Sequence, residues 1–255
     1  MNQIRIWWAT SRGKVIATLL VLWLGVLVYR FDSTRVWIPL VALSSSIFFD
    51  LILSYMRKRQ WAFTLSTTVT GLLIGLIVDP TSGVVPPIVA AAIAAVSKQV
   101  IGLGDHRHVF NPAAIGILGA SYIFGVPVVW WGASWGIAPV FIIAVGMAYV
   151  LWKLRRVWMT GTFLLVYIFV TRSLSLTIDG TVFLFAFIML PEPVTSPSGK
   201  IWRYGLGALV GVLVAVQSYF PVFHLDPLLL ALLAANLIGF FFIRRPWAGQ
   251  TLLKR

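Results

Sequence analysis

The 255-residue chain has no cysteine and few acidic residues, 7 Asp and Glu against 20 Lys and Arg, for a net charge of +13. Without cysteine there is no disulfide, no thiolate zinc site and no all-cysteine iron-sulfur cluster housed wholly within the chain. Charge of either sign is thin, at 11% of residues. The sequence has no nucleotide-binding loop and no stretch polar enough for a soluble catalytic domain, so chemistry that needs either must come from another protein. A basic chain often binds nucleic acid. Here the Lys and Arg fall in short clusters between apolar runs, never along one face of a soluble domain, which excludes that partner.

What is abundant is apolar: 60% of residues, with a mean hydropathy of +0.94. Most of the backbone must therefore run through lipid, and the chain reads as an all-α integral membrane protein. Ten apolar stretches cross, or nearly cross, a hydrocarbon core of about 30 Å: 15–29, 36–56, 61–78, 84–103, 109–129, 135–152, 160–176, 181–190, 204–220 and 228–243. The eighth is too short to span as a straight helix. It is expected either to tilt and extend into its flanks or to break beside Pro191-Glu192-Pro193. The basic start, with Arg5, Arg12 and Lys14, could pass for a signal peptide but reads better as a cytoplasmic flank of the first span.

Lys and Arg near helix ends are retained on the cytoplasmic side. With ten spans and both termini inside, 17 of the 20 fall on that side and only Arg30, Arg35 and Arg172 on the other. The expected location is the cytoplasmic membrane, multi-pass, with the N- and C-termini in the cytoplasm.

Two short patterns recur. Asp79-Pro80-Thr81-Ser82 follows the third stretch and Glu192-Pro193-Val194-Thr195-Ser196 the eighth; Asn111-Pro112 opens the fifth and Asp226-Pro227 the tenth. Five spans is an odd number, so a second copy enters the membrane upside down, giving a 5+5 inverted repeat over residues 1–134 and 135–255 within one membrane domain. Asn or Asp before Pro starts a helix: the side-chain oxygen caps free amides, and proline needs no donor at the first position. Helix N-termini carry partial positive charge and free N-H groups, so these starts can hold an anion or an electron-rich ring, or can be ordinary caps at a membrane boundary. On the expected topology Asp79 and Asp226 lie outside, Asn111 and Glu192 inside.

Arg107-His108-Val109-Phe110-Asn111-Pro112-Ala113 resembles the H-(I/V)-F-N-P-A motif of the RnfD and NqrB family, membrane subunits of the Rnf and sodium-pumping NADH:quinone oxidoreductase complexes. Met189-Leu190-Pro191-Glu192-Pro193-Val194-Thr195-Ser196-Pro197 is similar to that family's M-(L/T)-x-E-P-x-T-(S/T)-P segment, and Trp130-Trp131-Gly132 is a weaker echo. The resemblance implies a subunit of an electron-transport complex, not a self-sufficient enzyme. It implies flavin held in the membrane, electrons passed between the two faces, coupling in some complexes to Na⁺ or H⁺, and other membrane and soluble subunits as partners. Flavin performs the redox step while the protein supplies placement and electrostatics.

On that reading Arg107, His108, Asn111, Glu192 and Thr195 surround an inner flavin site, and Asp79, Thr81 and Asp226 a mirrored outer one. Family members with covalent FMN attach it through Asp-x-x-(Ser/Thr)-Gly-Ala-(Thr/Ser). Gly132-Ala133-Ser134 keeps the end of that pattern, with Ser134 as candidate acceptor, but the Asp and the preceding hydroxyl are missing. FMN or riboflavin is therefore expected without a covalent bond.

Asp50, toward the end of the second stretch, is a candidate for an ion pathway or for local pairing with Arg57, Lys58 and Arg59. His106, His108 and His224 do not suit haem, because the first two are too close to bracket it and the third lies on the other face. No metal site is expected. Gln217 and Asn236 read as interhelical amides, Gly205, Gly207 and Gly211 as a packing face, and Trp7, Trp8, Trp37, Trp61, Trp130, Trp131, Trp202 and Trp247 as an aromatic belt. Two other readings stand beside electron transfer: a small-solute channel of the related urea and ammonium inverted-repeat fold, and an assembly subunit that has lost its cofactors.

Overall fold

Apolar side chains cover the outside of this protein as well as its interior. Val28 and Phe169 are 89% and 83% exposed, while Leu19, Ile74 and Phe163 are fully buried. Water would not tolerate that surface and lipid does, so the chain is an all-α membrane protein. The computed structural model describes residues 10–61, 64–101, 108–197, 199–219 and 225–242. Among them no strand forms, only an isolated bridge between Val78 and Val128.

Ten principal helices follow in order: α1 (Ser11–Tyr29), α2 (Ser33–Lys58), α3 (Leu65–Ile77), α4 (Val85–Val100), α5 (Pro112–Phe124), α6 (Ala138–Lys153), α7 (Val157–Thr171), α8, α9 (Lys200–Tyr219) and α10 (Pro227–Phe242). The eighth is α-helical over Gly180–Leu184 and continues as a π-helix over Phe185–Met189. Single turns at Pro80–Ser82 and Leu174–Thr177 complete the helical structure among the described residues. Each expected stretch overlaps one of the ten. Among the described residues α1, α2 and α9 are long and apolar enough to cross on length alone. The fifth is shorter than its apolar run suggested, because the chain leaves the helix at Gly125 in a left-handed conformation.

That early exit has a physical use. The C-terminal carbonyls of α3 lie buried without helical partners. The segment after α5 folds back to satisfy them: Val129 and Trp130 amides donate to Ile77 O at 3.0 and 3.2 Å, Gly132 N to Leu76 O at 2.9 Å, and the Trp131 indole to Val78 O at 3.0 Å. Non-helical backbone is tolerated in a membrane only when protein covers it like this. Its packing is close on both sides. A Cβ on Gly132 would stand 2.7 Å from Leu76 Cβ, and one on Gly180 would run into the Ala133 carbonyl.

α8 shows the complementary case. Its π-helical turn bonds Leu190 N to Phe185 O at 2.9 Å. The next bond of that pattern would need an N-H on Pro191, which has none. The stranded Ala186 carbonyl accepts from the Thr160 hydroxyl of α7 at 2.8 Å instead. The expected break beside Pro191 is thus a change of helix type followed by a turn.

Several helix pairings among α1–α5 have counterparts among α6–α10, while α3 also packs on α4 and α5. α1 packs on α3, α2 on α3 and α4, and α4 on α5; α6 packs on α8, α7 on α8 and α9, and α9 on α10. Between the halves α1 meets α6 and α5 meets α10. Close approach follows small residues: Gly75 of α3 lies against Pro39 of α2, and Gly207 and Gly211 of α9 lie against Met159 and Val166 of α7, whereas Gly205 faces open space.

Candidate functional site

The start of α5 is built where four segments converge. Asn111 is 3% exposed, and its Oδ1 accepts from Ala114 N at 3.0 Å, the expected cap. Its Nδ2 donates to Glu192 Oε2 at 2.9 Å, and its backbone N-H to Asn236 Oδ1 of α10 at 3.0 Å. Thr195 Oγ1 donates to the same Glu192 oxygen at 3.3 Å. Glu192, the sole glutamate of the chain, is thereby fixed by two side chains.

An imidazole and a guanidinium face this cluster. His108 is buried, with Nε2 3.5 Å from Glu192 Oε1; that suits attraction when the ring is protonated but is too long for an ordinary hydrogen bond, and Nε2 has no other partner. Arg156, between α6 and α7, is 5% exposed and donates to Ser196 Oγ, while Ser196 Oγ donates to the Glu192 carbonyl. Burial pulls the Arg156 guanidinium down to about 10, with the Arg203 charge adding to the effect and Glu192 opposing it. The two motif segments that the sequence keeps 81 residues apart meet here.

A second cluster surrounds the start of α10. Asp226 Oδ1 accepts from Leu229 N at 2.9 Å, and its Oδ2 accepts from the Trp130 indole at 2.8 Å. Trp130 holds a left-handed backbone (φ 53°), unusual for a bulky residue, which aims its indole at the carboxylate. Burial raises the Asp226 carboxyl, and the Trp130 and backbone hydrogen bonds partly offset this. A cavity of about 260 Å³ opens beside it, lined by Trp130, Tyr167, Asp179, Thr181, Ser218 and Asp226 among others. Asp226 and Asn236 lie on one helix, so the two clusters are separated by about 15 Å of helical rise.

The other expected residues are distributed differently. Asp79 accepts from Thr81 N and Thr81 Oγ1, both at 2.8 Å, closing a local turn; Thr81 is exposed, and neither residue hydrogen-bonds Asp226. Two indoles serve these segments: Trp130 donates to Asp226, and Trp131 to Val78 O beside Asp79. Ser134 is exposed, its amide donating to Trp130 O at 3.1 Å. Arg107, His106 and His224 lie outside the described residues, as do Trp7, Trp8 and Trp247.

Asp50 is 1% exposed and pairs with Lys98 of α4 at 3.1 Å, whereas Arg57 donates to Gln99 O at 2.6 Å and the Lys58 side chain lies outside the described residues. Trp130 and Trp131 are buried at 4%, so they belong to the interior and not to the belt, unlike the exposed Trp37, Trp61 and Trp202. Arg156, Tyr167 and Lys98 were not singled out by sequence, and Trp130 was placed in the belt. Burial of isolated Arg and Trp residues leaves no periodic signal. Among the described residues no three His, Cys, Asp or Glu side chains converge.

The sequence profile of the NQR2, RnfD, RnfE family matches residues 9–136, half of the chain, including the segment that opens α5. No curated protein matches the chain.

Proposed function

Because the chain belongs to the NQR2, RnfD, RnfE family, and is thereby a membrane subunit of an Rnf- or NQR-type complex, we propose that it holds flavin and carries electrons across the cytoplasmic membrane. In this reading the complex couples that transfer to movement of Na⁺ or H⁺, its other subunits provide donor and acceptor, and both termini face the cytoplasm. The two halves, 1–134 and 135–255, form an inverted pair, supported by the recurrence of several helix pairings between them.

The observation that carries the reading is the meeting of both motif segments at Asn111 and Glu192, 2.9 Å apart. A buried cap, a fixed carboxylate and a buried imidazole nitrogen without a partner supply donors and acceptors for a heteroaromatic ring. On the opposite side the cavity at Asp226 offers Trp130 and Tyr167 as aromatic walls and the hydroxyls of Thr181 and Ser218 for a polar chain. Its two lining carboxylates, Asp179 and Asp226, would repel a phosphate, so this pocket fits a neutral flavin such as riboflavin better than FMN. Bound flavin would supply the redox chemistry. The chain's part is to orient the ring, exclude water and hold the local charge constant.

The test is the absorption spectrum of the purified chain, followed by chromatography of what denaturation releases. Flavin in the extract, reduced in amount by Asn111→Ala or Asp226→Ala, is expected. A colourless preparation that releases no flavin overturns the reading and favours solute transport through the same fold.

A further inference from the structure

Capping, the Thr160 bond to Ala186 O and the two clusters above account for the other buried polar side chains discussed; the group around Asp50 stands apart. Three oxygens face the Lys98 ammonium: Asp50 Oδ2 at 3.1 Å, Thr64 Oγ1 at 3.1 Å and Thr67 Oγ1 at 2.7 Å. An ammonium has three N-H donors, and this set uses them all. Thr64 occupies the N-cap position of α3 yet makes no capping bond; its oxygen serves the ammonium instead. The Thr67 hydroxyl donates to Asp50 Oδ2, and Gln99 Nε2 donates to Oδ1 at 2.8 Å.

A void of about 10 Å³ adjoins the cage, lined by Ser46, Asp50, Thr67, Thr70, Lys98 and Pro112 among others. It has room for about one water-sized sphere. Ser46 Oγ is buried, 2% exposed for the residue, and has no hydrogen-bond partner. Carboxylate and hydroxyl oxygens converging from α2 and α3, with a spare hydroxyl at the edge, make a coordination shell for a hard cation. A free ion does not share it with the ammonium, since two like charges at this spacing in a low-dielectric interior repel strongly.

We propose that the Asp50 cage is a monovalent-cation site that this chain fills with its own lysine. The Lys98 ammonium is a tethered ion: it neutralises Asp50 at fixed stoichiometry and keeps alkali ions out, so this position does not respond to Na⁺. Shortening the lysine leaves a buried carboxylate facing an oxygen-lined space, which Na⁺ then enters as counter-ion.

The experiment compares melting of the full chain in lipid nanodiscs, at constant ionic strength, in NaCl, KCl and choline chloride. The parent sets the background response to Na⁺ from the rest of the protein. Lys98→Ala is expected to melt lower than the parent in choline and to recover most of that loss, saturably, in NaCl, because a ligand that binds only the folded state stabilises it. Asp50→Asn/Lys98→Ala should show no recovery beyond the parent's. A Na⁺ response of Lys98→Ala no larger than the parent's overturns the proposal, as does recovery that persists without Asp50. Should Lys98→Ala fail to fold, Lys98→Met keeps the aliphatic stem and is read the same way. If both single variants stay unfolded in every salt while Asp50→Asn/Lys98→Met folds, no free ion is serving the carboxylate and the proposal fails.

Discussion

Asn111 spends its side chain in two directions, capping α5 through Oδ1 at Ala114 N and gripping Glu192 Oε2 through Nδ2 at 2.9 Å. These functions separate by substitution. Asn111→Ala removes both, a cap worth about 1 kcal/mol and a hydrogen bond to a charged group worth about 1.5–3 kcal/mol. Asn111→Asp keeps the cap but sets a second carboxylate against Glu192. Adding Glu192→Gln to Asn111→Asp restores a donor-acceptor pair with the roles exchanged. Melting of the purified variants should therefore show Asn111→Asp less stable than the parent and Asn111→Asp/Glu192→Gln recovering much of the loss. A strictly additive double variant would show that the contact carries no coupling.

The Thr160 hydroxyl on Ala186 O substitutes for an N-H that Pro191 lacks. Thr160→Val preserves shape and strands a buried carbonyl, at a cost of about 1–3 kcal/mol. Pro191→Ala in the Thr160→Val background offers the missing amide to the π-helical pattern. The expected result, read by thermal or denaturant unfolding, is a smaller loss from Thr160→Val when residue 191 is alanine than when it is proline.

Helix number was legible in the sequence because apolar length is a strong signal in lipid. The starts of α5 and α10 were legible too: Asn111 and Asp226 each cap as an Asn or Asp before proline should. What was hidden lies in the connections. Hydropathy cannot tell a helix from an apolar loop folded into the protein, so residues 125–129 read as helix although they leave it to serve α3. The same blindness assigned Trp130 and Trp131 to the membrane surface. Asp50 carried a visible signal, but its partner did not: Lys98 is 48 residues away, and the nearer Arg57 to Arg59 were the stronger candidates on spacing alone. The contact between Asn111 and Glu192 could be assembled from motifs; the cluster at Asp226 depends on a left-handed tryptophan that no local pattern announces.

Asp226 provides a test of sign. Burial raises its carboxyl above the ordinary 3.8, with the Trp130 indole pulling the other way. The folded state therefore holds this proton more tightly than the unfolded one, so the group's stabilising contribution is complete below about pH 4 and is lost as pH rises through the raised value. Asp226→Asn retains an oxygen for Leu229 N and removes the titration. Its melting temperature, relative to the parent, should climb between pH 4 and 8. Trp130→Phe deletes the donor that favours the ionised form, extending the parent's decline to higher pH. Were the hydrogen bonds to outweigh burial, the ionised carboxylate would be the stabilising form, and the Asn variant would lose ground across the same range.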